Sequence, residues 1–332
     1  MHLRGGGKVS TIYIGGGTPS QLDTMMLRQL FSSIHNVYDV MPNIEVTMEC
    51  NPDDVDEQLV GAMLEVGVNR VSMGVQTFAD ERLHFLHRRH SAQQAVEAVE
   101  RLRQSGIHNI SIDLMFGFPN ETIADWQSDL HSALSLGVKH LSSYSLMYEE
   151  GTPLFHLLET GKVAELDDDT YVVMYKMLVE QLTSAGYEHY EISNFALPGY
   201  RSLHNSSYWN GTPYQGLGAA AHSFNGTCRQ ANVADVEKYI EAIKNGILPC
   251  ETEQLTSFDH YNDMVTTALR TCEGISLKEV EQRYGLKMFN YMMSNARKHI
   301  DRGLLVIERG RLRLTLLGIT LSDTVMSDLV WV

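Results

Sequence analysis

Three consecutive glycines, Gly15, Gly16 and Gly17, follow the β-branched and aromatic run Thr11-Ile12-Tyr13-Ile14 and lead into Thr18, Pro19 and Ser20. Main chain without side chains can approach a ligand closely, and its N–H and C=O groups suit a molecule carrying both an ammonium and a carboxylate. A Walker-type phosphate loop is excluded, because no Gly-Lys-Ser/Thr follows. A tight strand-to-helix turn would use the same glycines. Further polar residues stand at comparable places: Glu49 and Asn51, Gln76, Asp113, and Tyr144 with Ser145. Four cysteines, at 50, 228, 250 and 272, are too widely spaced for a zinc knuckle, an iron–sulfur loop or a disulfide framework, and read as isolated reduced thiols.

The elements that must position these groups alternate up to about residue 195. Strand patterns occupy 10–14, 44–49, 70–75, 109–116 and 140–147, starting 26 to 39 residues apart, the length of one strand–helix unit. Helical patterns fill the gaps at 21–36, 55–66 (behind Asp53 and Asp54 as N-caps), 92–105 and 122–136. Such units build a parallel α/β sheet that right-handed crossovers curl toward a barrel. Its ligand site then lies at the C-terminal strand ends, where all the polar residues named above fall. On 109–116, Ile110, Ile112, Leu114 and Phe116 share one face while Ser111, Asp113 and Met115 share the other, so Asp113 is expected to face the barrel interior. A carboxylate there needs a donor or a ligand.

Residues 196–251 read as a loop-rich connection dense in Gly, Asn, Ser, Tyr and His. Residues 252–332 read as a winged-helix-like module, with helices near 257–272, 276–284 and 288–302, a hairpin at 304–315 turning at Arg309-Gly310, and a last helix. The whole chain has 332 residues with 26 Lys+Arg against 41 Asp+Glu, a net charge of −15. That sign opposes nucleic-acid binding, and 252–332 balances ten basic against ten acidic residues, so the module is expected to serve packing or partner contact. No apolar run approaches the ~18 residues of a membrane span, and the first ten residues lack a secretory pattern, so a cytoplasmic protein is expected.

The motifs YIGGGTPS, MECNPDD, GVQTF, LHRRH, IDLMFGFPNET and YSLMYEEGTP, in this order and spacing, resemble the radical S-adenosylmethionine (SAM) superfamily and, more narrowly, the oxygen-independent coproporphyrinogen III oxidase family with its haem-chaperone branch. The resemblance covers nearly the whole chain. It implies an α/β fold: a partial (β/α) barrel of the radical SAM type over 1–195, followed by the connection and the winged-helix-like α+β module. It further implies that Gly16, Gly17 and Thr18 hold the methionine amino group of SAM, and that Glu49, Gln76, Arg88 and Asp113 hold the rest, with Arg88, twelve residues beyond Gln76, pairing with the SAM carboxylate.

Proteins of this type hold a [4Fe–4S] cluster on C-x-x-x-C-x-x-C after the first strand. That motif is missing here, and GGGTP corresponds to the family's second strand. Residues 1–10 are therefore expected to be the linker ahead of it. The first strand and cluster loop would lie upstream, in a full-length protein that holds the cluster, and the chain by itself is expected to be inactive in SAM cleavage. The strand at 10–14 would then have an open edge through which copies of the chain could associate.

HNSSYW, from His204 to Trp209, resembles a motif of the haem-chaperone branch. An imidazole can ligate haem iron, and aromatic rings can stack on a porphyrin, which makes His204 the candidate iron ligand and Tyr208 and Trp209 its companions. An ordinary loop histidine and core aromatics are the alternative. His222 reads as structural. The function implied is binding of haem and its transfer to haem-requiring proteins; the alternative within the family is oxidative decarboxylation of coproporphyrinogen III to protoporphyrinogen IX.

Overall fold

The structure, a computed structural model, describes residues 7–332, so most of the expected linker lies outside the described residues. The chain forms β1 (Val9–Ile14), α1 (Thr24–Val37), β2 (Val40–Cys50), α2 (Glu57–Glu65), β3 (Arg70–Gln76), α3 (Asp80–Phe85), α4 (Ala92–Gln104), β4 (Asn109–Phe116), α5 (Ile123–Leu136) and β5 (His140–Ser145). Then come α6 (Pro153–Glu159), α7 (Asp168–Ser184), β6 (Glu188–Glu191), β7 (Asn194–Ala196) and α8 (Leu203–Trp209). Chain contacts divide the molecule after His204, giving one unit of Lys8–His204 and another built mainly of Asn205–Val332.

The first unit is a seven-stranded curled sheet in the order β1-β2-β3-β4-β5-β7-β6. β1 to β5 run parallel, while β7 is antiparallel to β5 and β6 to β7. Alternation of side chains decides the two faces. Val71, Met73 and Val75 on β3 and Ile110, Ile112 and Leu114 on β4 are buried at 0–1% exposure, on the face that helices cover. The other face is polar. Strand register lines up Glu49, Ser72, Ser111 and His140 in one row across the sheet, and Asp113, Ser142 and Asn194 in another. The partial barrel expected from the strand spacing is the fold observed.

Helix starts follow cap chemistry. Ser91 and Thr122 form reciprocal capping boxes with Gln94 and Asp125. Asp56, not Asp53 or Asp54, caps α2, because Pro52–Asp54 turn as a short 3₁₀ helix first. Trp126 on α5 is wholly buried and donates its indole N–H to Met174 O on α7 at 3.0 Å.

In the second unit, the expected loop-rich connection holds more structure than its composition suggests. β8 (His222–Phe224), β9 (Cys228–Asn232), α9 (Val236–Lys244) and β10 (Cys250–Gln254) lie within it, the strands forming an antiparallel sheet in the order β10-β9-β8. Strands of three to five residues rich in polar side chains carry too little periodicity to register as strands. Beyond it stand α10 (Ser257–Ala268), β11 (Ile275–Ser276), α11 (Leu277–Asp301), β12 (Leu305–Glu308), β13 (Arg311–Leu314), α12 (Leu316–Ile319) and α13 (Ser322–Leu329). Gly285, at φ 80°, interrupts α11 where the sequence divides two helices, and Arg309 and Gly310, both at positive φ, turn the hairpin. Tyr261, Val265, Met292, Leu312, Val325 and Leu329 form the core of this winged-helix-like module.

Candidate functional site

The site begins with close approach at the end of β1. A Cβ on Gly15 would lie 2.7 Å from the Tyr13 ring and 2.8 Å from the Glu49 carboxyl group, so only glycine lets Glu49 reach across the main chain. Glu49 accepts from the Gly16 N–H at 3.2 Å and from the Tyr13 hydroxyl at 2.7 Å. Gly16 and Gly17 have positive φ and open space where side chains would stand, and Gly15 to Thr18 are exposed. Bare, approachable main chain is the result. The loop is anchored from below: buried Ser20 donates to Asp54 at 2.7 Å and accepts from the Asn51 N–H at 3.2 Å.

A second close approach sits on β3. A Cβ on Gly74 would meet both the Arg88 guanidinium and the Gln76 amide at 2.9 Å. Arg88 donates to the Gly74 carbonyl at 3.0 Å and to Asn51 Oδ1 at 2.8 Å, which ties the end of β3 to the end of β2. Gln76 adopts φ 69°, a region that L residues enter at a cost and that clusters at functional sites, where the β3–β4 register shifts. Burial lowers the pKa of Arg88, against the attraction of Asp53 and Asp113, and leaves a cation that a carboxylate would match.

Asp113 stands on the interior face, as its alternation predicts. Burial and then repulsion from Glu49 raise its pKa to about 6, while Arg70, a hydrogen bond from Ser142, and Arg88 pull the other way. Glu49 and Asp113 are thus near enough to repel, and Arg88 near enough to attract. The structure brings Gly15–Gly17, Glu49, Asn51, Gln76, Arg88 and Asp113 into one linked set. Thr18 precedes the short 3₁₀ turn without a side-chain cap bond, and Tyr144 and Ser145 stand at the end of β5 in register with Met115 and Phe116.

The donor set fits SAM chemically. Main-chain groups and carboxylates suit its ammonium and ribose hydroxyls, and a guanidinium suits its carboxylate. An iron–sulfur cluster does not fit. Cys50 is buried, Cys228 donates to Gln254, Cys272 is exposed, and the described residues contain no group of three or more His, Cys, Asp or Glu able to hold a metal ion.

HNSSYW proves to be helical, in α8, where the composition of the segment suggests a loop. The cause is a remote cap: Glu45 on β2 accepts the backbone N–H groups of Leu203 and His204 at 3.0 and 2.9 Å. Thr11 Oγ1 is hydrogen bonded to His204 Nδ1 at 2.9 Å, and the Tyr13 ring stacks on the imidazole at 4.9 Å and 24°. Burial lowers the His204 pKa, with Glu45 raising it and Arg70 lowering it. Tyr208, 41% exposed, meets Tyr214 edge to face, Trp209 is partly buried, and His222 is exposed on β8.

Four residues escape a reading of the sequence alone: Thr11, Tyr13, Glu45 and Arg70. Arg70 is 1% exposed, and its Nε and Nη1 have no hydrogen-bond partner among the described residues, yet its charge bears on Asp113, Tyr13, His140 and His204. The available signal is period-two alternation: Thr11-Tyr13-Gly15, Glu45-Thr47-Glu49 and Arg70-Ser72-Gly74-Gln76 line one face of three adjacent strands.

The fold and this rim define a radical-SAM-type barrel protein. Residues 2–133 match the Radical SAM superfamily model, and 255–321 match the HemN C-terminal domain. The solved coproporphyrinogen III oxidase (HemN) from Escherichia coli shares the fold with a TM-score of 0.83 at 20% identity, over 97% of this chain and 78% of that one. The chain is 34% identical over 319 residues to Heme chaperone HemW of Bacillus subtilis (strain 168), covering 96% of this chain and 84% of that relative. It is 33% identical to the Lactococcus lactis subsp. lactis (strain IL1403) protein of the same name, over 96% and 84%. The chain belongs to the HemW family.

Proposed function

We propose that this protein binds haem and passes it to haem-requiring proteins, with SAM as the cofactor of its barrel rim and the cytoplasm as its place of work. The observation that carries the haem reading is the way three residues orient His204. Thr11 holds Nδ1, Tyr13 covers one ring face, and Glu45 fixes the backbone. In the tautomer that donates Nδ1–H to Thr11 Oγ1, Nε2 carries the lone pair a haem iron requires, which is the usual orienting arrangement of ligating histidines. Burial favours the neutral imidazole, the form that ligates. Tyr208, one turn further along α8 and so on the side of the helix that carries His204, would take the porphyrin face, while Trp209 lies round the helix from it.

At the rim, the main chain of Gly16, Gly17 and Thr18 would receive the SAM amino group, Arg88 its carboxylate, and Glu49, Gln76 and Asp113 the remaining polar groups. Bound SAM would supply a carbon–sulfur bond that a one-electron donor breaks. The residues themselves bind and orient. Gly15 and Gly74 admit the side chains that do so, and no electron-donating step is assigned to them.

Haem titration tests the reading. Wild-type protein is expected to develop a Soret band with saturable, stoichiometric binding, and His204→Ala to weaken that binding at least tenfold. An unchanged titration in His204→Ala would move the ligand elsewhere, and no band in the wild type would remove the haem reading.

A further inference from the structure

Tyr13 touches both parts of the site. Its hydroxyl donates to Glu49 Oε1 at 2.7 Å, and Glu49 Oε2 in turn accepts from Gly16 N–H at 3.2 Å, in the rim. Its ring lies on the imidazole of His204, centroids 4.9 Å apart and planes at 24°, while Thr11, two residues earlier on the same face of β1, holds His204 Nδ1 at 2.9 Å. It opens the YIGGGTPS motif, but the resemblance assigns it neither role.

A tyrosine ring has two torsions. Anchoring the hydroxyl on Glu49 fixes where the ring face lies, so a movement of the Glu49 carboxylate cannot occur without a movement of the surface against His204. Gly15 sharpens this linkage, because the Glu49 carboxyl and the Tyr13 ring both crowd the space its Cβ would need, at 2.8 and 2.7 Å. There is little slack between the three groups.

We propose that Tyr13 is a positioning residue that couples the rim to His204: a ligand engaging Glu49 re-aims the imidazole, and a ligand on the imidazole changes the affinity of the rim. The coupling rests on the reading that the rim takes SAM and that His204 faces haem. Equilibrium linkage makes it reciprocal, so haem changes SAM affinity by the same factor as SAM changes haem affinity. A purely structural Tyr13 would affect stability and leave that factor at one.

Two measurements decide it. In the first, the SAM dissociation constant is measured by calorimetry with and without haem. Wild type is expected to show a ratio of about fivefold or more, the low end of ordinary coupling, and Tyr13→Phe, which keeps the ring and removes the bond to Glu49, a ratio near one. The second needs no ligand. The imidazole ¹⁵N signals of His204, identified by their loss in His204→Gln, are expected to shift on Glu49→Gln in the wild-type background and to stay in place when Glu49→Gln is added to Tyr13→Phe. Equal ratios in wild type and Tyr13→Phe, or a His204 signal that ignores Glu49→Gln, would overturn the coupling. If SAM gives no heat with the wild type, the cofactor reading fails by itself, and the ligand-free comparison still decides the linkage. Should Tyr13→Phe not fold, Glu49→Gln in the wild-type background decides.

Discussion

Asp113 shows at the residue scale how binding and stability oppose one another. Its carboxyl group has a pKa of about 6 in the folded protein against an ordinary 3.8. A raised folded value means that protonation favours the folded state, so this contribution is fully present below pH ~3.8 and is lost as pH rises through about 6. At neutral pH the half-buried carboxylate is a penalty of about 3 kcal/mol at most, from 1.36 kcal/mol per pKa unit. Asp113→Asn is expected to raise the melting temperature at pH 7.5, to change it little at pH 4, and to weaken SAM binding at least tenfold. Melting curves at the two pH values with SAM calorimetry check this; an unchanged melting temperature at pH 7.5 would mean that Arg70, Arg88 and Ser142 offset the burial fully. The glycines and carboxylates of this rim were legible because they fell on or just after strands, and Arg88, beyond α3, only through the motif resemblance. Arg70 was not, since a lone arginine at a strand start reads as a surface cation, and only closure of the sheet buries it.

At the scale of elements, the barrel helices are held by single large apolar contacts more than by helix propensity. Trp126 illustrates this, with its ring at 0% exposure and its indole N–H on Met174 O. Trp126→Ala would leave a cavity between α5 and α7 and an unpaired carbonyl, at a cost of about 3–5 kcal/mol; denaturant unfolding measures it, and a loss under 1 kcal/mol would show that α5 and α7 close the gap. The five parallel strands of the first unit and its helices α1, α2, α4 and α5 were legible from their periodicities, whereas α3, α6, α7 and the short antiparallel β6 and β7 were not. α8 was not: the backbone N–H groups of Leu203 and His204 are held by Glu45, 158 positions away from Leu203, a partner that no local pattern announces. The small β8–β10 sheet escaped for a similar reason, its strands being short and polar.

The whole molecule combines an acidic surface with a barrel whose interior is polar. Among the described residues no helix is long and apolar enough to cross a membrane. Anaerobic incubation of these 332 residues with iron and sulfide is expected to give far less than one cluster per chain, because the four thiols stand apart; iron and acid-labile sulfide assays check this, and stoichiometric incorporation would show that chains pool their cysteines.

The family and the alternation of strands with helices that makes the barrel were read from sequence alone, since motif spacing and alternation are local properties that survive without coordinates. Tertiary structure decided which residues touch. It placed Tyr13 between Glu49 and His204, set Glu45 as the cap of α8 and buried Arg70 in the barrel. The reason is physical: tertiary packing brings together side chains 36 to 193 positions apart, and no local pattern encodes which distant partner will fill a hydrogen bond.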